Sequence, residues 1–409
     1  MHPLQLLTTA LLATCTAALP SLSLSHQRPN TNNPHLKALQ PFSWSAAKVR
    51  GANLGGWLVQ EASVDTAFWN ANAPDALDEW TLCTTLGSQC ASVLEHRYAT
   101  FITTSTIDTL ASAGVNLLRI PTTYAAWINL PGSGLYSGNQ TAYLREITEY
   151  AITNYNMHIV IDVHSLPGGL NGLDIGEKKG NWGWFYNATA WNHSLDVVDA
   201  VVEFIFTSSS PGSFTLEPMN EPTDRNGDDD LTMAVFGTPA ALSDRAAAYV
   251  MSFWKAVLER VRALESDLGS GATGIIPVSF QSFKLPSYWG TNFTADSNVV
   301  FDVHNYYFEG RNTTSENLPT YMRSDAEEKS VTGNGVPVYV GEWAIQAAYN
   351  NSFALRERNL IAGMSIWEEF MQGSAYWSAR FEGTDEVDGE GDKSDYWSFE
   401  RFVELSYLV

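Results

Sequence analysis

Residues 115–121 read VNLLRIP and residues 158–164 read HIVIDVH. Both are short, mainly aliphatic runs, and the segment between them, Thr141 to Tyr155, is compatible with a helix. A strand, a helix and a second strand in this order are typical of a βαβ unit in a parallel sheet. Each run also meets a polar side chain near its end, Arg119 in the first and His164 in the second. This stretch therefore predicts a parallel sheet whose strand ends carry reactive groups.

The same pattern recurs along the chain. Candidate strands occupy Val49 to Leu54, Val115 to Ile120, His158 to Val163, Ser213 to Glu217, Gly274 to Phe280, Val299 to Val303, Val336 to Gly341 and Ser374 to Trp377. Helix-compatible segments between them are Ser105 to Ala113, Thr141 to Tyr155, Ser194 to Thr207 and Asp244 to Leu264. Eight strands that alternate with helices favour a closed barrel, although a doubly wound open sheet would show the same local pattern.

The positions of the polar residues favour the barrel. Most candidate strands run directly into side chains that can do chemistry, and these are Arg119, His164, Asn220, Glu221, His304, Glu342 and Trp377. Because a barrel gathers the C-terminal ends of its strands at one face, residues spread over about 250 positions can meet in one pocket. We therefore predict an α/β fold, a (β/α)8 TIM barrel, that forms a single domain over residues 46–409.

Composition and charge limit the possible partners. The 409 residues are 44% hydrophobic and 17% charged, which suits a large buried core and excludes a disordered or fibrous chain. The formal net charge of -22 repels phosphate backbones and anionic membrane surfaces. We therefore expect no nucleic-acid or membrane partner, and we expect a monomer.

The N-terminal residues have the layout of an export signal. Leu4 to Ala18 form a short apolar run before a proline, so residues 1–18 are predicted to be a signal peptide that is too short to span a bilayer. A buried helix is the alternative for this run. Residues 19–45 are polar and contain prolines, which predicts a flexible lead-in or a propeptide. The mature protein is therefore expected to be secreted and extracellular.

Two further features agree with an oxidising compartment. Cys15 would leave with the signal, and Cys83 and Cys90 then remain as an even pair, a candidate for a local disulfide. Six N-x-S/T sequons offer possible glycan sites in a secreted chain. The sequon asparagines are Asn139, Asn187, Asn192, Asn292, Asn312 and Asn350.

Two carboxylates with different surroundings stand at predicted strand ends, Glu221 in EPMNEP and Glu342 in VYVGEWA. Hydrolysis of a glycosidic bond needs one carboxyl group that protonates the departing oxygen and a second that attacks the anomeric carbon or activates a water. Asn220 next to Glu221 and Trp343 next to Glu342 offer unequal environments, which separate the pKa values of such a pair. This chemistry requires neither a metal nor a cofactor, so we expect none.

The other strand-end side chains suit the same pocket. Arg119 can hold a nucleophilic carboxylate ionised, while His304 and Tyr306 can orient that carboxylate or a sugar. Trp377 offers a flat aromatic face on which a pyranose ring stacks. Taken singly, Arg119 is more readily explained as part of a surface ion pair and His164 as a core histidine. Only the combination of several such residues in one barrel favours a catalytic pocket.

Several other kinds of site can be set aside. The sequence contains no phosphate-binding GxxxxGK[ST] loop, no GxGxxG fingerprint after a strand, no HExxH zinc pair and no GxSxG nucleophile elbow. Trp182, Trp184 and Trp191 are open to two interpretations, as sugar platforms or as core residues beneath a long loop.

Six ordered motifs resemble glycoside hydrolase family 5. They are RGANLGGWLVQE (50–61), NLLRIP (116–121), IDVHSLPGGLNG (161–172), MNEP (219–222), HNYY (304–307) and VGEW (340–343). The most similar branch contains fungal exo-β-1,3-glucanases, and the resemblance covers nearly the whole chain after about residue 49. It implies a (β/α)8 barrel and a retaining double displacement, for which the two carboxyl groups should lie about 5–5.5 Å apart rather than about 6.5–9.5 Å.

The resemblance also implies residue roles. Glu221 in MNEP matches the general acid/base of the family, and Glu342 in VGEW matches its nucleophile. Glu61, at the end of GGWLVQE, matches a carboxylate that binds the terminal sugar. Surrounding pocket positions of the family are matched by Arg119, His164, Asn220, His304, Tyr306 and Trp377.

One stretch departs from the exo-glucanase pattern. After the pocket histidine those enzymes typically read G-x-P-G-S-Q-N-G-F-D-N, whereas this chain reads HSLPGGLNGLDIGEK, with Ile175 in place of an asparagine that touches the terminal glucose. Loss of that amide removes a polar contact to the sugar, which argues against strict glucose specificity. The variant resembles a related diglycosidase branch, the rutinosidase-type 6-O-α-rhamnosyl-β-glucosidases that act on flavonoid glycosides.

We therefore predict a secreted, retaining β-glucoside hydrolase that releases a disaccharide. The alternative within the same class is an exo-β-1,3-glucanase that releases glucose from β-glucans. A catalytically silent glucan-binding protein on the same scaffold is the alternative from another class.

Overall fold

The computed structural model describes residues 42–224, 236–269 and 271–408. Eight parallel strands follow one another in chain order around a closed barrel, and β1 pairs with β8 to close it. The strands are β1 Val49–Asn53, β2 Leu117–Thr122, β3 His158–Val163, β4 Phe214–Glu217, β5 Val278–Gln281, β6 Val299–Tyr307, β7 Val338–Ala347 and β8 Gly373–Tyr376. The prediction of a (β/α)8 barrel is confirmed.

Helices cover the outside of the sheet. They are α1 Thr66–Asn72, α2 Glu79–Leu86, α3 Cys90–Thr100, α4 Thr104–Ser112, α5 Gln140–Tyr155, α6 Ala188–Phe206, α7 Asp244–Leu268, α8 Pro286–Trp289, α9 Leu318–Lys329, α10 Arg356–Phe370, α11 Ser394–Trp397 and α12 Phe399–Glu404. The four helices expected from the sequence correspond to α4, α5, α6 and α7. Helices α1 to α3 lie between β1 and β2, where the sequence analysis assigned only one helix.

The barrel strands are buried on both faces, which explains their nearly continuous apolar runs. All six residues of β2 and all six of β3 are buried. Their register pairs Leu117 with His158 and Thr122 with Val163. This register brings Arg119 on β2 and His164 after β3 to the same end of the barrel.

Aromatic side chains close the opposite end of the barrel. Trp44 is 3% exposed, donates from Nε1 to Oγ1 of Thr215 at 3.0 Å and packs on the ring of Tyr339 at 4.5 Å. Phe42 stacks on the imidazole of His158 with ring centroids 3.6 Å apart. The described chain is therefore already packed at Phe42 and Trp44, which the sequence analysis had assigned to the flexible lead-in. The reason is that Trp44 fills the floor of the barrel.

Two strands extend four or more residues beyond their predicted ends. β6 continues four residues beyond Val303, and β7 continues beyond Gly341 to Ala347. Their pairing shifts register between Val303 and His304, which is typical of a β-bulge. His304 and Glu342 therefore lie inside strands rather than after them. The prediction ended each strand too early, because polar residues that face a pocket resemble the start of a loop.

Only some of the predictions about export concern residues that the structure describes. Residues 1–18 and 19–41 lie outside the described residues, so the signal peptide and most of the lead-in are not covered. The disulfide between Cys83 and Cys90 is present and links α2 to the first residue of α3. All six sequon asparagines are exposed. Within the described ranges, no helix has the length and apolar character needed to cross a membrane.

Candidate active site

The guanidinium of Arg119 is the centre of the charged network at the C-terminal end of the barrel. Arg119 is fully buried on β2 and donates from Nη1 to Oε1 of Glu342 at 2.7 Å and to Oδ1 of Asn53 at 3.1 Å. From Nη2 it donates to Oε1 of Glu217 at 2.6 Å and to Oδ1 of Asn220 at 2.9 Å. Its planar fork thus holds four groups, on or directly after the three strands β1, β4 and β7, in one arrangement.

Three of the acids around Arg119 were not singled out from the sequence. Asp162 on β3 lies 3.0 Å from Nη2, Asp302 on β6 lies 3.5 Å from Nε, and Glu217 forms the hydrogen bond described above. All three are buried. The available signal was a single acidic residue inside an apolar strand, as in HIVIDV, FTLE and VVFDV. Such a position is costly to bury unless a cation accompanies it.

Glu342 is held in its ionised form. Its Oε1 accepts from Arg119, and its Oε2 accepts from the hydroxyl of Tyr306 at 2.7 Å. Burial alone would raise the pKa of the Glu342 carboxyl, but the positive charges of His304 and Arg119 outweigh it and lower that pKa below its usual value. A buried, ionised carboxylate with two positioned donors is suited to nucleophilic attack.

Glu221 has the opposite character. Burial raises the pKa of its carboxyl, and the nearby imidazole of His304 only partly offsets this. Its backbone lies in the left-handed region, with φ +50, a conformation that non-glycine residues rarely adopt. The Glu221 N–H donates to Oε1 of Gln281 at 2.5 Å, and its carbonyl accepts from Nδ2 of Asn171 at 3.3 Å. These contacts hold a strained turn that directs the carboxyl into the pocket.

The two carboxyl groups face each other across a short gap. One oxygen of Glu221, one oxygen of Glu342 and one nitrogen of His304 all lie within 4.8 Å of one another. Three such groups can also hold a metal ion, but here Glu342 and Glu221 already accept hydrogen bonds from Tyr306, Arg119 and His304. The distance between the two carboxyl oxygens is therefore at most 4.8 Å. This is close to the spacing of about 5–5.5 Å in retaining glycosidases and shorter than the spacing of about 6.5–9.5 Å that inversion needs.

A second hydrogen-bonded chain supports the site. The Nδ1 atom of His164 lies 2.6 Å from Oδ2 of Asp162, and its Nε2 lies 3.2 Å from Nδ2 of Asn220. If Nδ1 carries the proton, Nε2 accepts from Asn220, whose oxygen already accepts from Arg119. This fixes the orientation of the Asn220 amide. The indole of Trp377 stacks on the His164 ring with centroids 5.9 Å apart.

Glu61 lies in the wall of the same pocket. It is 9% exposed, and its Oε1 has no hydrogen-bond partner among the described residues. Burial raises the pKa of the Glu61 carboxyl well above its usual value, with further contributions from Asp174 and Glu342. An unpartnered carboxyl oxygen at this position is available to a ligand hydroxyl.

A cavity of about 300 Å³ opens above these groups. Its size lies at the lower end of the range for small-molecule sites. Apolar and aromatic side chains form much of its outer wall, and these are Leu173, Ile175, Phe236, Phe283, Phe308, Trp377, Phe381 and Trp397. Trp397 also stacks on Tyr306, the hydroxyl donor to Glu342, at 5.2 Å.

The structure brings all nine predicted pocket residues to this end of the barrel. Glu61, His164, Glu221, His304, Tyr306, Glu342 and Trp377 line the cavity, and Arg119 and Asn220 lie beneath it. The three tryptophans with two possible interpretations do not line the cavity; they are Trp182, Trp184 and Trp191. Trp184 is fully buried against Phe253 and Tyr249, which favours the core interpretation for that residue.

The fold and the site together define a glycoside hydrolase built on a (β/α)8 barrel. The chain belongs to glycosyl hydrolase family 5, since residues 83–382 match the family model described as cellulase (glycosyl hydrolase family 5). The family resemblance expected from the six motifs is therefore confirmed.

Curated relatives are fungal proteins. Probable glucan 1,3-beta-glucosidase A of Aspergillus fumigatus is 29% identical over 298 residues, which cover 72% of this chain and 65% of that protein. Glucan 1,3-beta-glucosidase 1 of Schizosaccharomyces pombe is 29% identical over 311 residues, which cover 74% of this chain and 70% of that protein. The match thus spans slightly less than two thirds of the length of the first of these relatives.

A solved structure is more similar. The crystal structure of rutinosidase from Aspergillus niger is 55% identical to this chain, with a TM-score of 0.86. The match covers 90% of this chain and 100% of that chain.

Proposed function

We propose that this protein is a retaining β-glucoside hydrolase that releases an intact 6-O-rhamnosyl-glucose disaccharide from flavonoid glycosides. The observation that carries this proposal is the 55% identity to a rutinosidase over 90% of the chain, against 29% for glucan 1,3-beta-glucosidases. The apolar outer wall of the cavity supports it, because an aromatic aglycone buries more apolar surface there than a second sugar does.

In the first step Glu342 attacks the anomeric carbon. Glu221 gives its proton to the glycosidic oxygen as the bond to the aglycone breaks, so a neutral aglycone leaves and a glycosyl-enzyme ester forms. The opposite pKa shifts of the two carboxyl groups suit these roles.

In the second step Glu221, now ionised, takes a proton from a water molecule. That water attacks the same anomeric carbon from the side of the departed aglycone and releases Glu342. Two inversions give net retention of the β configuration. Arg119 and Tyr306 stabilise the Glu342 carboxylate before and after the covalent intermediate.

The remaining polar groups position the sugar. One proton of the Asn220 amide is directed at His164, which leaves the other available for a sugar hydroxyl. The unpartnered carboxyl of Glu61 offers a second contact, and the Trp377 indole offers a face for the pyranose ring. Such contacts hold the anomeric carbon within reach of Glu342.

An exo-β-1,3-glucanase is the second candidate. The names of the curated relatives favour it. Ile175 argues against it, since this residue lines the cavity where the glucanase pattern has an asparagine, and it cannot hydrogen-bond a glucose hydroxyl.

A substrate panel separates the candidates. Purified protein is incubated with rutin, hesperidin and laminarin, and the products are identified by chromatography and mass spectrometry. The proposal predicts release of the disaccharide rutinose from at least one flavonoid glycoside, with the β anomer formed first in a proton NMR time course. Exclusive release of glucose from laminarin would support the glucanase instead. Binding of glucan without any release of reducing sugar would favour the silent binding protein, and Glu342→Gln serves as the inactive control.

The proposal also includes export of a monomeric chain. Residues 1–18 serve as the signal peptide, residues from 19 to about 41 serve as a lead-in, and the catalytic domain follows. The Cys83–Cys90 disulfide and the exposure of all six sequon asparagines support this route. Secretion from a fungal host, with N-terminal sequencing of the mature protein, tests it.

A further inference from the structure

The chain around Asn187 differs from that around the other five sequons. It reads Phe185-Tyr186-Asn187-Ala188-Thr189, with an aromatic residue two positions before the asparagine. At that position the other sequons carry Ser137, Ala190, Gly290, Gly310 and Ala348.

Asn187 is the last residue of a tight turn, and Phe185 is one of the two central residues of that turn. The Asn187 N–H donates to the carbonyl of Trp184 at 3.4 Å, which makes residues 184–187 a β-turn. Tyr186, the third residue of the turn, has φ +59, a conformation that L-residues other than asparagine and aspartate rarely adopt. Because the chain reverses direction at this turn, the side chains of Phe185 and Asn187 lie at the same surface.

An aromatic patch surrounds this turn, formed by Phe185, Tyr186, Trp191 and Tyr249. The ring of Tyr249 lies 5.0 Å from that of Tyr186, 5.0 Å from that of Trp191 and 6.1 Å from that of Phe185. Tyr186 is 42% exposed. No ring of the patch lines the catalytic cavity. The patch therefore lies outside the cavity that holds the two catalytic carboxyl groups.

The side chain of Asn187 is also pre-positioned. Its Oδ1 accepts from the N–H groups of Thr189 and Ala190 and so caps α6, while Nδ2 donates to the carbonyl of Gly183 at 2.9 Å. An amide nitrogen has two protons, so one can be replaced while the other keeps the bond to Gly183. Attachment of a sugar at Nδ2 is thus compatible with the folded turn and with the helix cap.

We propose that Asn187 carries an N-linked glycan whose first N-acetylglucosamine packs on the aromatic patch and stabilises the loop before α6. The transfer joins Nδ2 to C1 of the sugar, breaks the bond from C1 to the lipid diphosphate donor of the secretory pathway, and releases the lipid diphosphate and one proton. Pyranose C–H groups then cover the parts of these rings that remain exposed, beside the Arg245 guanidinium that lies 4.0 Å from the centroid of the Tyr186 ring. The inference rests on the export part of the proposed function.

Matched variants test this proposal in the full chain secreted from a glycosylating yeast. Thr189→Ala removes the sequon but keeps Asn187 as the helix cap, and Thr189→Ser keeps the sequon. Thr141→Ala is the control, because Thr141 is also the second residue of a helix, α5, and also completes a sequon, at Asn139, that lacks the aromatic residue. Occupancy of each asparagine is measured by glycopeptide mass spectrometry and stability by the melting temperature.

We expect Asn187 to be occupied and Thr189→Ala to lower the melting temperature by about 1–3 °C more than Thr141→Ala does. Thr189→Ser should match the unmodified sequence. Trimming with an endoglycosidase that leaves one N-acetylglucosamine should preserve the stability. In a double-mutant cycle, Phe185→Leu should reduce the loss caused by Thr189→Ala, because the glycan then has less aromatic surface to cover.

Three outcomes would overturn the proposal. These are an empty Asn187 while other sequons are occupied, equal losses for Thr189→Ala and Thr141→Ala, and no coupling with Phe185→Leu. If all six asparagines are empty and the chain is not secreted, the export part of the proposed function fails together with it. Activity on rutin is measured on the same samples, so failure of the glycosidase assignment is seen separately.

Discussion

The Nδ1 atom of His304 lies 2.7 Å from Oε1 of Glu221. The same nitrogen is 3.5 Å from Oε2 of Glu342, so one imidazole faces both carboxyl groups. Burial would lower the pKa of His304, but Glu342 and Asp302 outweigh it and raise that pKa well above its usual value. A positively charged His304 thus lowers the pKa of both carboxyl groups, and the three groups share their protons as a unit.

Replacement of this charge should shift the pH dependence of the enzyme. His304→Gln removes a positive charge from both carboxyl groups, so both pKa values rise. The acid limb of kcat/KM against pH, set by ionisation of Glu342, and the alkaline limb, set by Glu221, should both move to higher pH. We also expect kcat/KM at the optimum to fall by about 10- to 100-fold, because Glu221 loses its positioned partner.

Tyr306→Phe is the matched control for that shift. It removes the hydroxyl that donates to Glu342 but no charge beside Glu221. Only the acid limb should move to higher pH. An unchanged acid limb in both variants would contradict the nucleophile role of Glu342.

The two carboxyl groups should respond differently to the leaving group. Glu221→Gln removes the proton donor, so activity on rutin should fall by about 10²- to 10⁴-fold, while a dinitrophenyl glycoside, whose phenol departs without a proton, should lose much less in the first step. Glu342→Gln should abolish turnover of both substrates. Steady-state and burst kinetics on the two substrates measure this split. Equal losses on both substrates in Glu221→Gln would refute its role as the acid.

Ile175 should influence the choice between a disaccharide and a single glucose. Ile175→Asn restores an amide in the cavity wall, and one new hydrogen bond to a glucose hydroxyl should improve kcat/KM for an aryl glucoside relative to the aryl rutinoside by about 2- to 10-fold. Ile175→Val, which adds no polar group, should leave the ratio unchanged. A ratio that moves equally in both variants would show that cavity volume, and not the amide, controls the choice.

His158 should make the fold sensitive to acid. It is 3% exposed at the barrel floor, and burial lowers the pKa of its imidazole to about 3. The unfolded chain takes up a proton below about pH 6.5 while the folded chain does not. The free energy of unfolding is therefore retained above about pH 6.5 and decreases as the pH falls towards about 3, by at most about 1.4 kcal/mol per pH unit from this group.

Urea titrations over this pH range measure the effect of His158. His158→Gln, which keeps a polar group near Thr215 but cannot take up a proton, should show a smaller loss of stability in acid. The substitution His96→Gln, on the exposed side of α3, is the control and should retain the acid sensitivity. Equal acid slopes for His158→Gln and the unmodified protein would show that other groups dominate acid unfolding.

Much of the fold was predictable because a barrel strand must be apolar on both faces. All eight strands were found from such runs, and β3 was assigned at both ends correctly. The strands β6 and β7 were predicted too short, because His304 and Glu342 face a pocket and so look like loop residues. The helices α1 to α3 were missed, because the buried faces of α2 and α3 include the charged residues Glu79 and Arg97 and so do not form a purely apolar stripe.

The buried acids show how far the candidate site could be predicted from the sequence. Asp162, Glu217 and Asp302 stand inside apolar strands, and each could have been flagged as a charge that needs a partner. Their common partner, Arg119, cannot be identified from spacing, because the contacts join residues from 43 to 183 positions apart. Likewise Gly341 allows close approach of the Asp302 carboxylate, with which a Cβ atom would collide.

The sequence by itself determined the barrel, the family and the identities of the two carboxyl residues, because local polarity patterns and ordered motifs depend only on neighbours along the chain. The motifs implied which of the two is the acid and which the nucleophile, but only the tertiary structure shows why the pKa of Glu221 is raised and that of Glu342 is lowered. That difference arises from Arg119, His304 and Tyr306, which come from separate strands and act on Glu221 and Glu342 only when the barrel closes and excludes water around them.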